Sequence, residues 1–448
     1  MNNKRYNGIC SYLKKVTDGT EWMNRVFVVG GCVRDEVMKR PIKDVDLAVD
    51  LPNGGIRFSM WLYEKGLTTR EPITYPTYST AMFHLKEFPN DELEAVQTRK
   101  ETYEDKTNRN PTTAYGTIKE DCMRRDLTIN ALYKNITSGE ILDMTERGLD
   151  DIKNHIIRTP LDADITFDDD PLRMLRCIRF ATRYGWTIEK TTLEAIQRNH
   201  KRLEIITAER IKDEITKIFS VGENSAQALQ YIIDTHLEEI IFGVSCALFV
   251  PFENIEGYGK AVTALHKMKS DNYLANLAII LIAITESEYD DVYTFCKKLK
   301  FSNDELNKIW KYIKFQKFIL DNSPYVTLYD RAKLRELMHL IGDYDDMKTI
   351  FLIEKAFNSP FEEIDNDVMR DVDHILYMDK EYYNVNFFDY HLPINGNDII
   401  EEFGFKDKRI KTMLDEGMKI AYVLPNITKE TCIKLLKDLI DKKLIQFD

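Results

Sequence analysis

Residues 27–35 read Phe-Val-Val-Gly-Gly-Cys-Val-Arg-Asp, and residues 44–46 read Asp-Val-Asp. The apolar start of the first stretch predicts a strand, and the pattern after its two glycines predicts a helix. Glycines between a strand and a helix let backbone N–H groups approach an anion, and the helix N-terminus also favours negative charge. Taken alone, such a turn usually marks only a tight connection between two elements, so it is weak evidence for a binding site.

Asp44 and Asp46 stand at the start of the next apolar run, which extends from Val45 to Val49. On a strand, residues i and i+2 point to the same face, so the two carboxylates project together. Like charges held side by side are costly unless a cation lies between them, and Mg²⁺ prefers such oxygen ligands. An isolated Asp-x-Asp is more often part of an exposed edge strand, but its place after the Gly-Gly turn favours a metal site.

A third carboxylate, Glu94, lies in a further predicted strand, Leu93 to Thr98. If this strand pairs beside the strand of Asp44, Glu94 would complete the group of carboxylates. The spacing alone is equally consistent with Glu94 being an ordinary strand residue exposed to solvent. Glu94 is therefore a candidate catalytic residue whose role depends on the order of strands in the sheet.

Two regions of different character make up the chain of 448 residues. Strand and helix signals alternate up to about residue 155, and helical periodicity dominates beyond it. The predicted fold class is α+β, with a small mixed α/β head followed by an all-helical neck, body and tail. We place the head at residues 1–155, the neck at 156–220, the body at 221–375 and the tail at 376–448.

The composition indicates a cytoplasmic protein. Its seven cysteines are scattered without a Cys-x-x-Cys pair, which fits reduced thiols and neither a zinc site nor a disulfide framework. There is no run of about 18 apolar residues and no apolar segment typical of a signal peptide, so we expect no membrane partner. No obligate protein partner is evident.

The net charge of −12 at first argues against a nucleic-acid partner. Binding depends on local charge, however, and basic residues outnumber acidic ones between Pro171 and Lys217. Arg173, Arg176 and Arg179 recur at every third position and would form a cationic flank of one helix. A solvated helix face is the simpler interpretation of a basic stretch, but the regular spacing makes these arginines candidate nucleotide-binding residues.

Three further motifs make the sequence resemble a known family. They are Arg-Arg-Asp-Leu-Thr-Ile-Asn-Ala at 124–131, Asp-Asp-Pro-Leu-Arg-Met-Leu-Arg-Cys-Ile-Arg-Phe at 169–180 and Glu-Arg-Ile-Lys-Asp-Glu at 209–214. With the Gly-Gly turn and Asp-Val-Asp, they stand in the order of the class II polymerase-β-like nucleotidyltransferases, a family that contains CCA-adding enzymes and bacterial poly(A) polymerases. The resemblance covers about residues 25 to 220.

The resemblance implies roles for the matching residues. Asp44 and Asp46 would bind two magnesium ions that serve the transfer of a nucleotide to the 3′ hydroxyl of a primer. The triphosphate would be held by Gly30, Gly31 and Arg34, and the ribose by Arg125, Asp126 and Asn130. The motif at 209–214 would brace the neck helix and take no part in the chemistry.

Asp170 and Arg173 resemble the pair that reads the base in this family. At i and i+3 on a helix they would share a face, where each could hold the other. Asp accepts from an exocyclic amine and Arg donates to a ring nitrogen or carbonyl, so the pair would accept cytosine and adenine and refuse guanine and uracil. A bare Asp-x-x-Arg is most often an ordinary helix salt bridge, and only the family context reverses that preference.

The resemblance implies an enzyme that adds C, C and A to the tRNA 3′ end from CTP and ATP, with Mg²⁺ as cofactor. A poly(A) polymerase, an enzyme that adds only A to tRNA, and an inactive tRNA-binding protein remain as alternatives. Complete CCA addition is favoured by a loop at residues 100–123 of the kind the family uses to switch from C to A, and by a C-terminus without a strongly basic extension. Because no histidine is followed by aspartate, we expect no HD-type phosphohydrolase activity.

Overall fold

The computed structural model describes residues 3–102, 112–243, 251–285, 287–322, 331–358 and 369–447. The chain divides into two compact units, Met1–Phe249 and Val250–Asp448. The predicted head and neck fall within the first unit, and the predicted body begins there and continues into the second. A mixed α/β head followed by helices confirms the predicted fold class.

A seven-stranded sheet forms the centre of the first unit. Its order is β3-β4-β5-β2-β1-β8-β9, with β2 and β5 parallel and the other neighbouring pairs antiparallel. The strand β2 has its predicted bounds, and the predicted strand Leu93 to Thr98 forms most of the second half of β5. The described strands are β1 (Val26–Val29), β2 (Val45–Val49), β3 (Ile73–Tyr75), β4 (Thr80–Leu85), β5 (Phe88–Gln97), β6 (Arg99–Thr102), β7 (Thr112–Tyr115), β8 (Leu132–Asn135), β9 (Ile141–Asp143), β10 (Ile156–Ile157) and β11 (Thr187–Ile188).

One face of this sheet is covered by the helix α3 (Gly54–Glu64), which packs against β2, β4 and β5. A side chain at Gly55 would come within 2.3 Å of the Ala95 carbonyl oxygen, so the close approach of helix and strand requires glycine there. Residues alternate between the faces of a strand, so Glu94, next to Ala95, points away from α3. The face that carries Glu94 is therefore the one available for a site.

Beyond β9 the first unit is helical apart from one short parallel strand pair, β10 with β11, which lies within the predicted neck. The longest neck helix, α7, packs against α9 and α10. Besides α3, the helices of this unit are α1 (Asn3–Thr17), α2 (Gly31–Val37), α4 (Ile118–Met123), α5 (Gly148–Asn154), α6 (Ala163–Asp169), α7 (Leu172–Tyr184), α8 (Lys190–Asn199), α9 (Ala208–Ile218), α10 (Ser225–Asp234) and α11 (Glu238–Ile241).

The described regular elements of the second unit are all helices. A buried ion pair between Arg335 and Asp379 connects the helix Arg331–Ile341 to the short π-helical turn Asp379–Tyr383. None of the described helices of either unit combines the length and apolar character needed to cross a bilayer. The helices of this unit are α12 (Pro251–Met268), α13 (Tyr273–Ile284), α14 (Tyr289–Lys298), α15 (Asn303–Asn322), α16 (Arg331–Ile341), α17 (Tyr344–Asn358), α18 (Arg370–Met378), α19 (Gly396–Phe403), α20 (Arg409–Val423) and α21 (Lys429–Asp441).

Candidate active site

Three carboxylates meet where β2 and β5 pair. The parallel register sets Asp46 opposite Glu94, which is the neighbouring position that the sequence left open. Asp44 stands one residue before β2 and is exposed. Burial, then the charge of Glu94, raises the pKa of Asp46 to about 6, and Asp44 adds to this shift. A cluster of carboxylates that oppose one another's ionisation fits a divalent cation with oxygen ligands.

The Gly-Gly turn lies beside an arginine from a distant motif. Gly30 has a φ of 70°, a left-handed backbone conformation that glycine adopts without strain. A side chain there would come within 3.2 Å of the Arg125 guanidinium. Gly31 is the first residue of α2, so a helix N-terminus lies at the same place. Backbone N–H groups, a helix N-terminus and a guanidinium together suit an anion such as a triphosphate.

Arg34, the third residue predicted to hold the triphosphate, is buried and already bonded within the protein. Its guanidinium donates to Asp35 Oδ1 at 2.8 Å and to Asn130 Oδ1 at 2.6 Å. It also lies over the ring of Phe180, 5.2 Å from the ring centroid. Arg34 thus connects the Gly-Gly helix with the motif at 124–131 and with α7, and contact with a triphosphate remains a prediction.

Asp126 joins the predicted ribose motif to the neck helix. Its carboxylate accepts hydrogen bonds from Asn130 Nδ2 at 3.2 Å and from Arg176 Nε at 2.7 Å. Burial acts to raise the pKa of Asp126, but Arg176 and Asn130 outweigh it and lower that pKa to about 2. The structure therefore brings Asn130, Asp126 and Arg176 together, although they come from two motifs well separated in sequence.

Asp121 is a buried carboxylate that the sequence motifs did not single out. It accepts from Arg124 Nη2 at 2.7 Å, from Arg125 Nη2 at 3.2 Å and from the Tyr133 hydroxyl. Burial acts to raise its pKa, but Arg125 and Arg124 hold that pKa below its ordinary value. Asp121 thus fixes the guanidinium that lies beside Gly30. The capping box at 117–120, Thr-Ile-Lys-Glu, is a sequence signal for the helix that presents it.

Asp170 and Arg173 do not hold each other as predicted. Asp170 lies before α7 in an extended conformation, because the proline that comes next disfavours helical backbone at the preceding residue. Its Oδ1 accepts from the Leu172 N–H at 3.2 Å and its Oδ2 from Arg210 Nη2 at 3.2 Å. Arg173 is on α7, with its guanidinium 3.8 Å from Glu101. In the described part of the chain, the predicted ion pair between Asp170 and Arg173 does not form. Asp170 pairs with Arg210, and Arg173 pairs with Glu101.

The three predicted arginines of α7, Arg173, Arg176 and Arg179, are paired with carboxylates, so the predicted cationic flank is largely neutralised. Glu101, on β6, was not predicted and also binds Arg124 at 3.0 Å. Glu101 and Arg173 are far apart in the sequence, so no sequence pattern predicts the contact between them. The pairs are Arg173 with Glu101, Arg176 with Asp126 at 2.5 Å and Arg179 with Glu214 at 2.6 Å. The arginines are therefore held in defined positions, as a specific recognition surface requires.

A mixed sheet with clustered carboxylates beside a glycine turn and a fixed guanidinium is typical of nucleotidyltransferases, which act on metal-bound triphosphates. Family models match two segments. Residues 26–158 match the Poly A polymerase head domain, and residues 185–244 match the probable RNA and SrmB-binding site of polymerase A.

Curated relatives extend these matches. The chain is 31% identical to a CCA-adding enzyme of Lactobacillus helveticus, over 66% of this chain and 69% of that protein. It is 34% identical to the mitochondrial CCA tRNA nucleotidyltransferase of Saccharomyces cerevisiae over 52% of this chain, a match that spans only 46% of the yeast protein. It is 28% identical to the tRNA nucleotidyltransferase cca1 of Schizosaccharomyces pombe, over 91% of this chain and 90% of that one. The chain belongs to the class II family of CCA-adding enzymes and poly(A) polymerases.

A solved structure shares the fold. The CCA-adding enzyme of Bacillus stearothermophilus in complex with CTP superposes with a TM-score of 0.69 at 20% identity, over 93% of this chain and 94% of that one. At this identity the likeness concerns the fold alone. The two proteins thus share a fold in which a mixed α/β head is followed by helices.

Proposed function

We propose that this chain adds C, C and A to the 3′ end of tRNA, with CTP and ATP as substrates and without a nucleic-acid template. The observation that carries the proposal is the placement of Asp46 opposite Glu94 on the sheet face turned away from α3, with the Gly30 turn and the Arg125 guanidinium to one side. The names of the relatives support tRNA as the acceptor, and the CTP complex of the structural neighbour supports CTP.

We propose Mg²⁺ as the cofactor, held by Asp44 and Asp46 with Glu94 beside them. When bound, such ions activate a 3′ hydroxyl and stabilise the departing pyrophosphate. The chain's own part is to fix the triphosphate, and Gly30 and Gly31 leave room for the phosphates. Arg125, which the resemblance assigns to the ribose, would instead donate hydrogen bonds to the phosphates, because its guanidinium lies beside Gly30. Asp121 contributes by holding Arg125, so that no reorganisation is needed when the negative charge arrives.

Base selection belongs in this proposal to Asp170 and Arg173, each held by a different partner. Arg210 orients the Asp170 carboxylate, and Glu101 lies beside the Arg173 guanidinium. One side chain can accept from an exocyclic amine while the other donates to the ring. Asp126, Asn130 and Arg176 would surround the ribose, where a bonded network rejects a sugar that lacks its hydroxyl.

The division into head, neck, body and tail is part of the proposal, with the boundaries predicted from the sequence. So is action in the cytoplasm. The cysteines of the described residues, which are free and mostly buried, support the cytoplasm. One relative bears a mitochondrial name, so the mitochondrion is the alternative compartment. Imaging of the tagged protein in its own cell type tests the compartment.

The experiment that tests the function uses purified protein and tRNA that ends at the discriminator base. Labelled CTP and ATP are each supplied alone and then together, with and without EDTA. We expect labelling that chelation removes and excess Mg²⁺ restores. Absence of labelling with Mg²⁺ present would contradict the proposal, and a ladder of tens of adenosines from ATP alone would favour a poly(A) polymerase.

A further inference from the structure

One row of residues crosses the whole sheet through the carboxylates. Tyr133 on β8 is opposite Val29 on β1, and Val28 is opposite Leu47 on β2, which places Val29 beside Asp46. Beyond Asp46 the row continues through three directly opposed positions. They are Glu94 on β5, Met82 on β4 and Ile73 on β3. Residues directly opposite one another share a face of the sheet, so this row lies on the face that bears the carboxylates.

The groups suited to a triphosphate lie at one end of this row. Arg125 donates through Nε to the Tyr133 hydroxyl at 3.2 Å, and its guanidinium lies beside Gly30, which comes directly after β1. Both are on the β1 and β8 side of Asp46. An incoming triphosphate would therefore occupy that side of the carboxylates.

The attacking hydroxyl must come from the other side. In nucleotidyl transfer the attacking and leaving oxygens are roughly in line through the reacting phosphorus. With the pyrophosphate toward Arg125, the primer's 3′ hydroxyl approaches from the side of β5, β4 and β3. Neighbouring strands are about 4.8 Å apart, so Met82 and Ile73 lie roughly 10 and 14 Å from Asp46, the length of a few stacked nucleotides.

The edge of the sheet on that side carries exposed apolar side chains, and the charged pair His84 and Glu92 lies on the same face. Ile73 is 46% exposed and Tyr75 is 45% exposed, although both are large side chains on a strand. Tyr75 is opposite Thr80, and Thr80 is opposite Val96, which is two residues from Glu94 and therefore on the same face. An aromatic side chain can stack on any base, so such a surface suits single-stranded nucleic acid and does not depend on sequence.

We propose that Ile73, Tyr75 and Met82 form a platform on which the unpaired 3′-terminal nucleotides of the acceptor RNA stack. This primer platform rests on the proposed function and adds to it the path of the acceptor strand. It explains why an edge strand keeps a tyrosine and an isoleucine exposed next to a cluster of charged groups.

The kinetic test compares the double variant Ile73→Ala/Tyr75→Ala with Tyr63→Ala. Tyr63 is 40% exposed on α3, which covers the opposite face, so it is a matched control. We expect the double variant to lose about ten-fold or more in kcat/KM for tRNA, since stacking on an aromatic ring contributes substantially for each base, while the KM for CTP stays unchanged. An equal loss in the control, or no loss in the double variant, would overturn the platform.

A crosslinking test does not depend on turnover. tRNA carrying 4-thiouridine as its penultimate nucleotide is bound to the parent protein, irradiated and mapped by mass spectrometry. We expect crosslinks in residues 73–82, and crosslinks found only elsewhere would overturn the platform. A parent protein that adds no nucleotide but gives this crosslink would instead refute the proposed function, so the two failures can be told apart.

Discussion

Asp46 illustrates how individual residues of the site are placed at an energetic cost. Its carboxylate is partly buried and directly opposite Glu94, and burial together with that neighbour raises its pKa to about 6. Two like charges at this spacing destabilise the folded protein unless a cation separates them. The cost is consistent with the proposed metal site.

Replacement of Asp46 by asparagine keeps the shape of the side chain and removes its charge. We expect nucleotide addition to fall by at least about 10²-fold, because a lost electrostatic contact in the transition state has effects of that size. Binding of tRNA, measured by filter retention, should be nearly unchanged. Glu92→Gln is the control, since Glu92 is exposed on the same face and two residues from Glu94. Near-normal addition by Asp46→Asn would remove this residue from the metal site.

Arg210 offers a test of base selection that the sequence did not suggest. It holds Asp170 through Nη2 at 3.2 Å, so Arg210→Ala should free that carboxylate. We expect discrimination against UTP and GTP to weaken by ~1–3 kcal/mol, the value of one hydrogen-bonding group. Arg198→Ala, which removes the neighbouring pair with Asp164, should leave selection as it is. An Arg210→Ala protein as selective as its parent would place base selection elsewhere.

Sequence order was enough to find most of these residues but not their partners. Asp44, Asp46 and the Gly-Gly turn stand within a short local pattern, so they could be predicted. Glu101 could not, because Arg124 and Arg173 become its neighbours only when the hairpin and the neck helix fold. The partners of Asp121 are local, since Arg124 and Arg125 follow it by three and four residues, and the helix signal at 117–120 could have pointed to it. The predicted ion pair between Asp170 and Arg173 was wrong for a local reason. The proline between them makes the helix begin beyond Asp170, so the two residues are not on one helix face.

At the scale of elements, α4 anchors the hairpin formed by β6 and β7. The Asp121 carboxylate accepts from the Arg99 N–H at 2.9 Å as well as from Arg124 and Arg125. Arg124 in turn donates to Glu101 on β6. One buried carboxylate thus holds both the base of the hairpin and the guanidinium beside Gly30.

Removal of this anchor should destabilise the first unit. For Asp121→Ala we expect a loss of ~3–5 kcal/mol in the free energy of unfolding, because two guanidinium groups lose their buried partner. Urea denaturation followed by circular dichroism measures it. Glu120→Ala, at the exposed neighbouring position, should cost far less. Equal stability of the Asp121→Ala protein and its parent would show that the arginines find other partners.

The predicted switching loop, residues 100–123, is not a loop throughout, because it includes most of β6, all of β7 and all of α4. Residues 103–111 lie outside the described residues, and their ends are fixed by the pairing of Thr102 with Thr112. We expect replacement of 103–111 by glycine and serine to give products that end after two cytidines. The same replacement at 323–330, in the second unit, is the control. Complete CCA addition after the first replacement would show that the loop does not control the switch.

At the scale of the whole molecule, the net charge of −12 is compatible with the proposed RNA substrate because binding depends on local charge and not on the total. The fold class could be predicted because strand and helix periodicities occupy separate regions of the chain. The order of strands could not, since the parallel pairing of β2 with β5 depends on a connection that passes through α3, β3 and β4. That pairing is what turns Glu94 from an ambiguous strand residue into a neighbour of Asp46.

The most direct test of the central claim is the sequence of the 3′ ends that this chain produces. tRNA ending at the discriminator base is incubated with all four nucleoside triphosphates and Mg²⁺, and the products are sequenced to single-nucleotide resolution. We predict that the products extend by C, C and A and then stop, with neither G nor U incorporated. Products that end at two cytidines, continue into tens of adenosines or contain random bases would contradict this account.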